Sequence, residues 1–305
     1  MRAEPSRPAG SACEAGAILW DKSFRGSPRP VAADYSVEQR WSEYGPEDHA
    51  VWRRLFERQS GLLPARACPA FLKGLARLPF GGEAVPDFEA LSDALERTTG
   101  WRVVAVPGLV PDAVFFEHLA NRRFPAAHWI RRPDELDYLE EPDLFHDIFG
   151  HVPMLMDPVF ADYMQAYGQG GLRALGRKVL HRLARLYWYT VEFGLVAGAG
   201  GLEIYGAGIL SSHSETLFAL EDDSPNRIAF DLERVMRTRY RIDDFQESYF
   251  VVRDFDELLR LAEIDFAPLY DRVAALQDVE PGRLLPGDRL LHRGNGRYHA
   301  ARPTV

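Results

Sequence analysis

Proline or aspartate, set just ahead of an apolar run at helical spacing, recurs along this chain and dictates a helix-rich fold. Pro46-Glu47-Asp48 precedes Trp52, Leu55 and Phe56, and Pro86-Asp87 precedes Phe88, Leu91 and Leu95. Asp157-Pro158 precedes Phe160, Tyr163, Met164 and Tyr167, and Ser224-Pro225 precedes Ile228, Leu232 and Val235. Each offers a capping oxygen, a proline whose missing N–H costs nothing in the first turn, or acids that match the positive end of the helix dipole. Stretches 179–196 and 255–276 also read as helices. Strand-like pieces are short, at 101–106, 127–130 and 249–252, and too scattered for a doubly wound sheet. The expected architecture is mainly α with a few short strands, in a single domain over 34–285. Residues 1–33 are rich in Ala, Pro, Gly, Arg and Ser around the apolar island Ile18-Leu19-Trp20 and read as a poorly ordered arm. Residues 286–305 read as a polar C-terminal tail.

A chain of 305 residues, 46% hydrophobic and 27% charged, can bury a core without staples. Its two cysteines, Cys13 and Cys68, exclude a disulfide scaffold and the cysteine-rich zinc modules. A net charge of −9 argues against a nucleic-acid partner, because a phosphate footprint needs a basic face. No run reaches the ~18 apolar residues of a membrane span. The nearest, 193–202, is glycine-rich and ended by Glu203. The N-terminus shows no apolar signal segment. A cytoplasmic protein with no membrane partner is expected.

The segment that could carry chemistry is Glu141-Pro-Asp-Leu-Phe-His146-Asp147-Ile-Phe-Gly150-His151-Val-Pro153. Glu141-Pro142-Asp143 starts a helix, and Gly150 with Pro153 stops it. Five residues on an ideal helix rotate the second histidine by about 140° from the first. The imidazoles therefore converge only if the helix ends or distorts near Gly150. A third ligand would then be needed, and the candidate lies in Leu186-Tyr-Trp-Tyr-Thr-Val-Glu192-Phe-Gly-Leu-Val, where Glu192 has Trp188, Tyr189, Leu195 and Val196 for helical neighbours. A carboxylate there needs either a cation such as Arg185 or a metal. Two histidines and one carboxylate form the facial set of non-haem iron(II), and the same ligands could hold catalytic zinc.

These two segments, followed by Tyr205-Gly-Ala-Gly-Ile-Leu-Ser-Ser212, resemble the aromatic amino acid hydroxylases, most closely the bacterial phenylalanine-specific members. The resemblance runs in order over 35–276. It implies the mainly helical catalytic-domain fold of that family, iron(II), a tetrahydropterin cofactor, O2 as co-substrate, and hydroxylation of L-phenylalanine to L-tyrosine. By position it implies His146, His151 and Glu192 as iron ligands. Arg131 matches the arginine that grips the substrate carboxylate, and a guanidinium fork suits that planar group. Trp188 and Phe193 match the substrate-ring pocket, and Ser211 and Glu215 match positions near the substrate amino and carboxylate groups. Phe115, Asp147 and Tyr187 match the pterin side. Ser211 or Ser212 could equally cap a helix, and the aromatic residues could equally be core.

The chain departs from the animal members in lacking an upstream regulatory domain and a long C-terminal oligomerisation helix, so a monomer is expected. Leu139 stands where many animal members have threonine, and Pro125 where they have a pterin-side histidine. Within the family, Trp188 argues against a tryptophan hydroxylase. Val251, in Tyr-Phe-Val-Val where tyrosine hydroxylases tend to have an acid, argues against a tyrosine hydroxylase. Outside the family, a zinc hydrolase would use the same three ligands with Asp147 or Glu141 as base. It lacks the His-Glu-x-x-His spacing that aligns two histidines on one helix face. In a catalytically silent helical binding module, all three residues would be structural.

Overall fold

The computed structural model describes residues 20–21, 29–137, 141–177 and 179–302. Cys13, Leu139 and most of the 1–33 arm lie outside the described residues. Within that arm, strands β1 (Trp20–Asp21) and β2 (Arg29–Pro30) pair antiparallel.

The helix starts behave as capping chemistry requires. Helix Pro46–Leu62 has proline in its first turn, and the Gly45 N–H donates to Asp48 Oδ2 at 2.9 Å. Asp87 and Asp157 accept the first free N–H groups of helices Phe88–Thr99 and Pro158–Ala174. Gly100, at φ 75°, ends the first of these in the left-handed conformation that glycine adopts without a Cβ penalty. One hydrophobic core runs through residues 44 to 273, with Trp52, Trp101, Phe145, Phe149 and Tyr189 fully enclosed.

The strands are better organised than the sequence pattern suggests. β3 (Arg102–Val106) and β4 (Arg123–Ala127) pair in parallel across helix Asp112–Ala120, so the piece expected at 127–130 lies earlier in the chain. A five-stranded mixed sheet has the order β6-β5-β8-β7-β9. Its strands are β5 (Leu195–Gly198), β6 (Gly201–Ile204), β7 (Asn226–Ala229), β8 (Ser248–Val252) and β9 (Leu290–His292). Stretch 179–196 is therefore helical only to residue 192, and most of 193–202 falls in the β5–β6 hairpin, whose turn is closed by the pair Gly198 and Gly201.

Three further expectations are corrected. Ser224-Pro225 opens β7 rather than a helix, because β8 supplies parallel partners for Asn226 through Ala229. The helix begins only at Leu232, capped by Asp231. Stretch 255–276 breaks into Phe255–Leu259, a 3-10 turn at Arg260–Glu263, and Phe266–Ala275, where Asp265 caps a fresh start. The 286–305 segment is no loose tail over its described part. β9 pairs with β7, and in helix Arg297–Ala300 the Tyr298 ring packs 4.9 Å from Phe218 and 5.2 Å from Phe245.

On helix Leu180–Tyr187, the fully enclosed Arg185 donates to both oxygens of Asp278 at 2.9 Å, and Arg182 joins the same carboxylate. Arg185 therefore does not serve Glu192. Hydrogen bonding from Arg185 holds the Asp278 carboxyl down at about 2.

Two outcomes are expected. Tyr298→Ala lowers the unfolding free energy by about 2 kcal/mol in urea titration, because a partly buried ring is lost from an aromatic cluster. An unchanged midpoint would mean the segment contributes nothing. Asp278→Asn costs about 3 kcal/mol at neutral pH by leaving Arg185 without its counter-charge. A depressed carboxyl contributes above its unfolded value of about 3.9 and ceases to contribute as pH falls towards 2. The gap between wild type and Asp278→Asn should close over that window; a gap independent of pH would contradict the ion pair.

Candidate active site

His146 and His151 sit on a helix that is not α. Residues His146–His151 form a π-turn. Its i→i+5 hydrogen bonds join residues five apart and so take back most of the 140° by which an α-helix would separate the histidines. The distortion anticipated near Gly150 is thus spread over the whole turn. Glu192 closes a second π-turn, Trp188–Glu192, at the end of helix Leu180–Tyr187, with the Phe193 N–H donating to the Trp188 carbonyl at 2.8 Å.

The short helix Ala207–Leu210 lies against both turns. A Cβ on Gly150 would stand 2.8 Å from the Ala207 carbonyl oxygen, and one on Gly206 would stand 2.5 Å from that of Glu192. Glycine at these two positions lets three backbone segments approach more closely than any side chain allows. That requirement underlies the Tyr205-Gly-Ala-Gly motif.

The three side chains converge. Nε2 of His146 and Nε2 of His151 are 3.3 Å apart, and they lie 3.5 and 3.3 Å from the two Glu192 oxygens. All three donor atoms fall within 4.8 Å of one another. Ser211 Oγ donates to the Ala207 carbonyl at 2.8 Å, so it accepts from His146 Nδ1 at 2.9 Å. This fixes the tautomer that keeps a lone pair on Nε2 for a metal. Burial works to raise the Glu192 carboxyl, but His151 and His146 outweigh it and hold the group well below the usual carboxylate range. Once the two imidazoles give up the Nε2 protons that face Glu192, two nitrogen lone pairs and an anionic oxygen remain, a donor set that fits a divalent metal.

The donors open onto a cleft that reaches solvent, with His146, His151 and Glu192 in its wall. Phe115, Asp147 and Tyr187 line it, as does Pro125, and Phe115 meets Tyr187 edge-on at 5.6 Å. Asp147 accepts the Ala127 N–H at 2.8 Å, and burial raises its carboxyl to about 6. Sequence reasoning missed the 106–110 stretch on one side of the cavity and Phe124, whose ring lies 5.0 Å from His151. The 106–110 stretch carries only a Pro-Gly turn signal, and Phe124 has the pattern of any buried strand residue.

Other expected site residues group on a different side. Trp188 stacks on Phe193 at 4.7 Å and on Tyr240 at 4.2 Å, and its Nε1 donates to Gln246. Glu215 is buried, accepts the Tyr249 hydroxyl, and is pushed by burial to about 7. Ser212, not Ser211, caps helix His213–Glu221, which His213 opens. Val251 lies inside β8, where a strand was expected at 249–252, and pairs in register with Leu195, three residues beyond Glu192. Neither Tyr240 nor Gln246 gave a signal in the sequence.

Arg131 is neither a solvated turn residue nor an open fork. Its Nε and Nη2 each donate at 2.8 Å to the two oxygens of the fully buried Asp143, which also takes the Arg131 and His146 backbone N–H groups. Only the Nη1 side is left to turn towards another anion; it makes a long 3.5 Å contact to the Leu136 carbonyl. Arg131→Lys therefore strands one Asp143 oxygen and should cost about 1–3 kcal/mol of stability before any effect on substrate. Thermal unfolding identical to wild type would contradict that coupling.

Comparison with known proteins bears on this geometry. The family model described as biopterin-dependent aromatic amino acid hydroxylase matches residues 24–271. The phenylalanine-4-hydroxylase of Caulobacter vibrioides is 57% identical over 281 residues, covering 92% of this chain and 96% of that protein. That of Ralstonia nicotianae is 59% identical over 261 residues, covering 86% and 83%. The crystal structure of Chromobacterium violaceum phenylalanine hydroxylase with bound oxidized Fe(III) superposes with a TM-score of 0.83 at 56% identity, covering 85% of this chain and 94% of that one. Another structure of that enzyme, with iron and phenylalanine bound, gives 0.82 at 54% identity, covering 85% and 95%. With a match spanning 24–271 and relatives identical at more than half of their aligned positions, this chain belongs to the biopterin-dependent aromatic amino acid hydroxylase family.

Proposed function

We propose that this chain is a phenylalanine 4-monooxygenase that converts L-phenylalanine to L-tyrosine with O2, iron(II) and a tetrahydropterin. The observation that carries the proposal is the facial convergence of His146, His151 and Glu192 on the wall of a cleft lined by Phe115, Asp147 and Tyr187. The phenylalanine-bound relative supports the substrate, and the family supports the pterin. When bound, the tetrahydropterin would supply the two reducing equivalents and iron(II) would serve to activate O2 for ring hydroxylation.

The chain's own residues bind, orient and exclude water. His146, His151 and Glu192 would hold the iron, with Ser211 fixing the His146 imidazole. Phe115 and Tyr187 offer aromatic faces for the pterin ring, and Asp147 sets a carboxyl against its polar edge. Pro125 gives this chain a pterin wall without a histidine proton. Trp188 and Phe193 hold the substrate ring, with Val251 behind them. Arg131 meets the substrate carboxylate through its Nη1 side, while Ser211 and Glu215 face the polar end of the amino acid. Orienting the ring against the open iron faces is the main catalytic contribution of the protein.

We read the protein as a cytoplasmic monomer. Among the described residues no helix is long and apolar enough to cross a membrane. No heptad seam follows residue 276.

The test starts from metal-free protein loaded with iron(II) under anaerobic conditions. A tetrahydropterin, air and each aromatic amino acid are then supplied in turn. Tyrosine from phenylalanine, with one pterin oxidised per tyrosine, is expected. Glu192→Gln should lose stoichiometric iron and coupled hydroxylation, and Ser211→Ala should weaken iron binding by about 10–100-fold. Protein that copurifies with zinc, consumes no oxygen and hydrolyses an ester or amide would establish the zinc hydrolase instead.

A further inference from the structure

Gln246 makes contacts that neither the motifs nor the ligand set accounts for. It lies in the loop ahead of β8 and is 2% exposed. Its Oε1 accepts the Trp188 indole N–H at 2.9 Å, and its Nε2 donates to the Arg241 carbonyl at 2.9 Å. Its backbone N–H points to Glu215 Oε1 at 3.4 Å, the oxygen that also takes the Tyr249 hydroxyl. An indole N–H has a single direction, so one buried acceptor is enough to fix the rotation of the ring about its side-chain bonds. Tyr240 and Phe193 stack on the same indole, at 4.2 and 4.7 Å, and limit its tilt.

The loop is in turn gripped from the C-terminal segment. Phe245, the residue before Gln246, stacks on Phe218 at 4.6 Å, and its carbonyl lies 2.8 Å from His299 Nε2. Asp244 accepts the Tyr298 hydroxyl at 3.0 Å and Arg302 Nη1 at 3.1 Å. The contacts thus run from helix Arg297–Ala300 through residues 244–246 to Trp188, four residues before the carboxylate Glu192.

We propose that Gln246 is a positioning residue for the substrate ring, setting the orientation of the Trp188 indole and anchored itself by the C-terminal helix. This rests on the assignment of Trp188 to the ring pocket made above. Gln246 is not among the residues that line the cleft at the metal ligands. Its loss should therefore act on phenylalanine and not on the pterin.

The test is a double-mutant cycle on iron-loaded protein: wild type, Gln246→Leu, Trp188→Phe and the double variant, each with L-phenylalanine and tetrahydrobiopterin. Gln246→Leu should raise KM for phenylalanine by about 5–20-fold, the worth of one buried hydrogen bond, and lower the tyrosine formed per pterin oxidised. KM for the pterin and iron stoichiometry should stay at wild-type values. In the Trp188→Phe background, which has no indole N–H, the same change should add less than about twofold. Benzothienylalanine placed at position 188 keeps the shape of tryptophan without the N–H, and should reproduce the Gln246→Leu shift even if that variant folds poorly. Wild-type KM and coupling in Gln246→Leu or in the benzothienyl protein, or equal losses with and without the indole, would overturn the proposal. Wild-type protein that makes no tyrosine would overturn the parent function too, and the wild-type arm tells the two failures apart.

Discussion

Close backbone packing of segment 205–211 against two π-turns is the constraint on which the rest of the site depends. Glycine at 150 and 206 removes the atoms that would hold these segments apart. The π-turns bring ligands from separate parts of the chain to one point. Neither works alone: an α-turn would swing His151 away from His146, and a wider gap would take Ser211 out of reach of the His146 ring. Interiors packed this tightly transmit displacement, so ligand geometry is set by the core rather than by the loops.

Buried charge around the site is compensated in a graded way. Asp143 is matched fully, by the Arg131 fork and two backbone N–H groups, and ties the arginine expected at the substrate carboxylate to the first residue of the metal-bearing turn. Glu192 faces two imidazoles, a match that a divalent cation would complete. Glu215 has only hydroxyl and amide donors, and burial pushes its carboxyl up to about 7. The contrast follows from partner type: a guanidinium offsets desolvation of a carboxylate, whereas a phenol does not.

Much of this was legible in the sequence where chemistry is local. Capping aspartates and first-turn prolines mark the true starts at Pro46, Phe88 and Pro158, because their hydrogen bonds span three residues. The His-x4-His spacing showed that a distortion was needed, though not that it would be a π-turn. What was hidden depended on distant partners. The apolar spacing of Ile228 and Leu232 suits a helix, and only β8 alongside makes the first of them a strand residue. The C-terminal segment reads as polar because Tyr298 finds Phe218 and Phe245 only in the folded chain. Arg131 could be matched to a carboxylate, but not to Asp143 twelve residues away. Gln246 and Tyr240 were invisible for the same reason.

The convergence of the two π-turns on one metal is open to direct observation. Crystals grown anaerobically with iron(II), with diffraction recorded at the iron absorption edge, would locate the ion by its anomalous signal. One strong peak is expected within coordinating distance of His146 Nε2, His151 Nε2 and a Glu192 oxygen, with His146 Nδ1 still on Ser211. A peak elsewhere, or one bound by only one of the two histidines, would contradict the arrangement described.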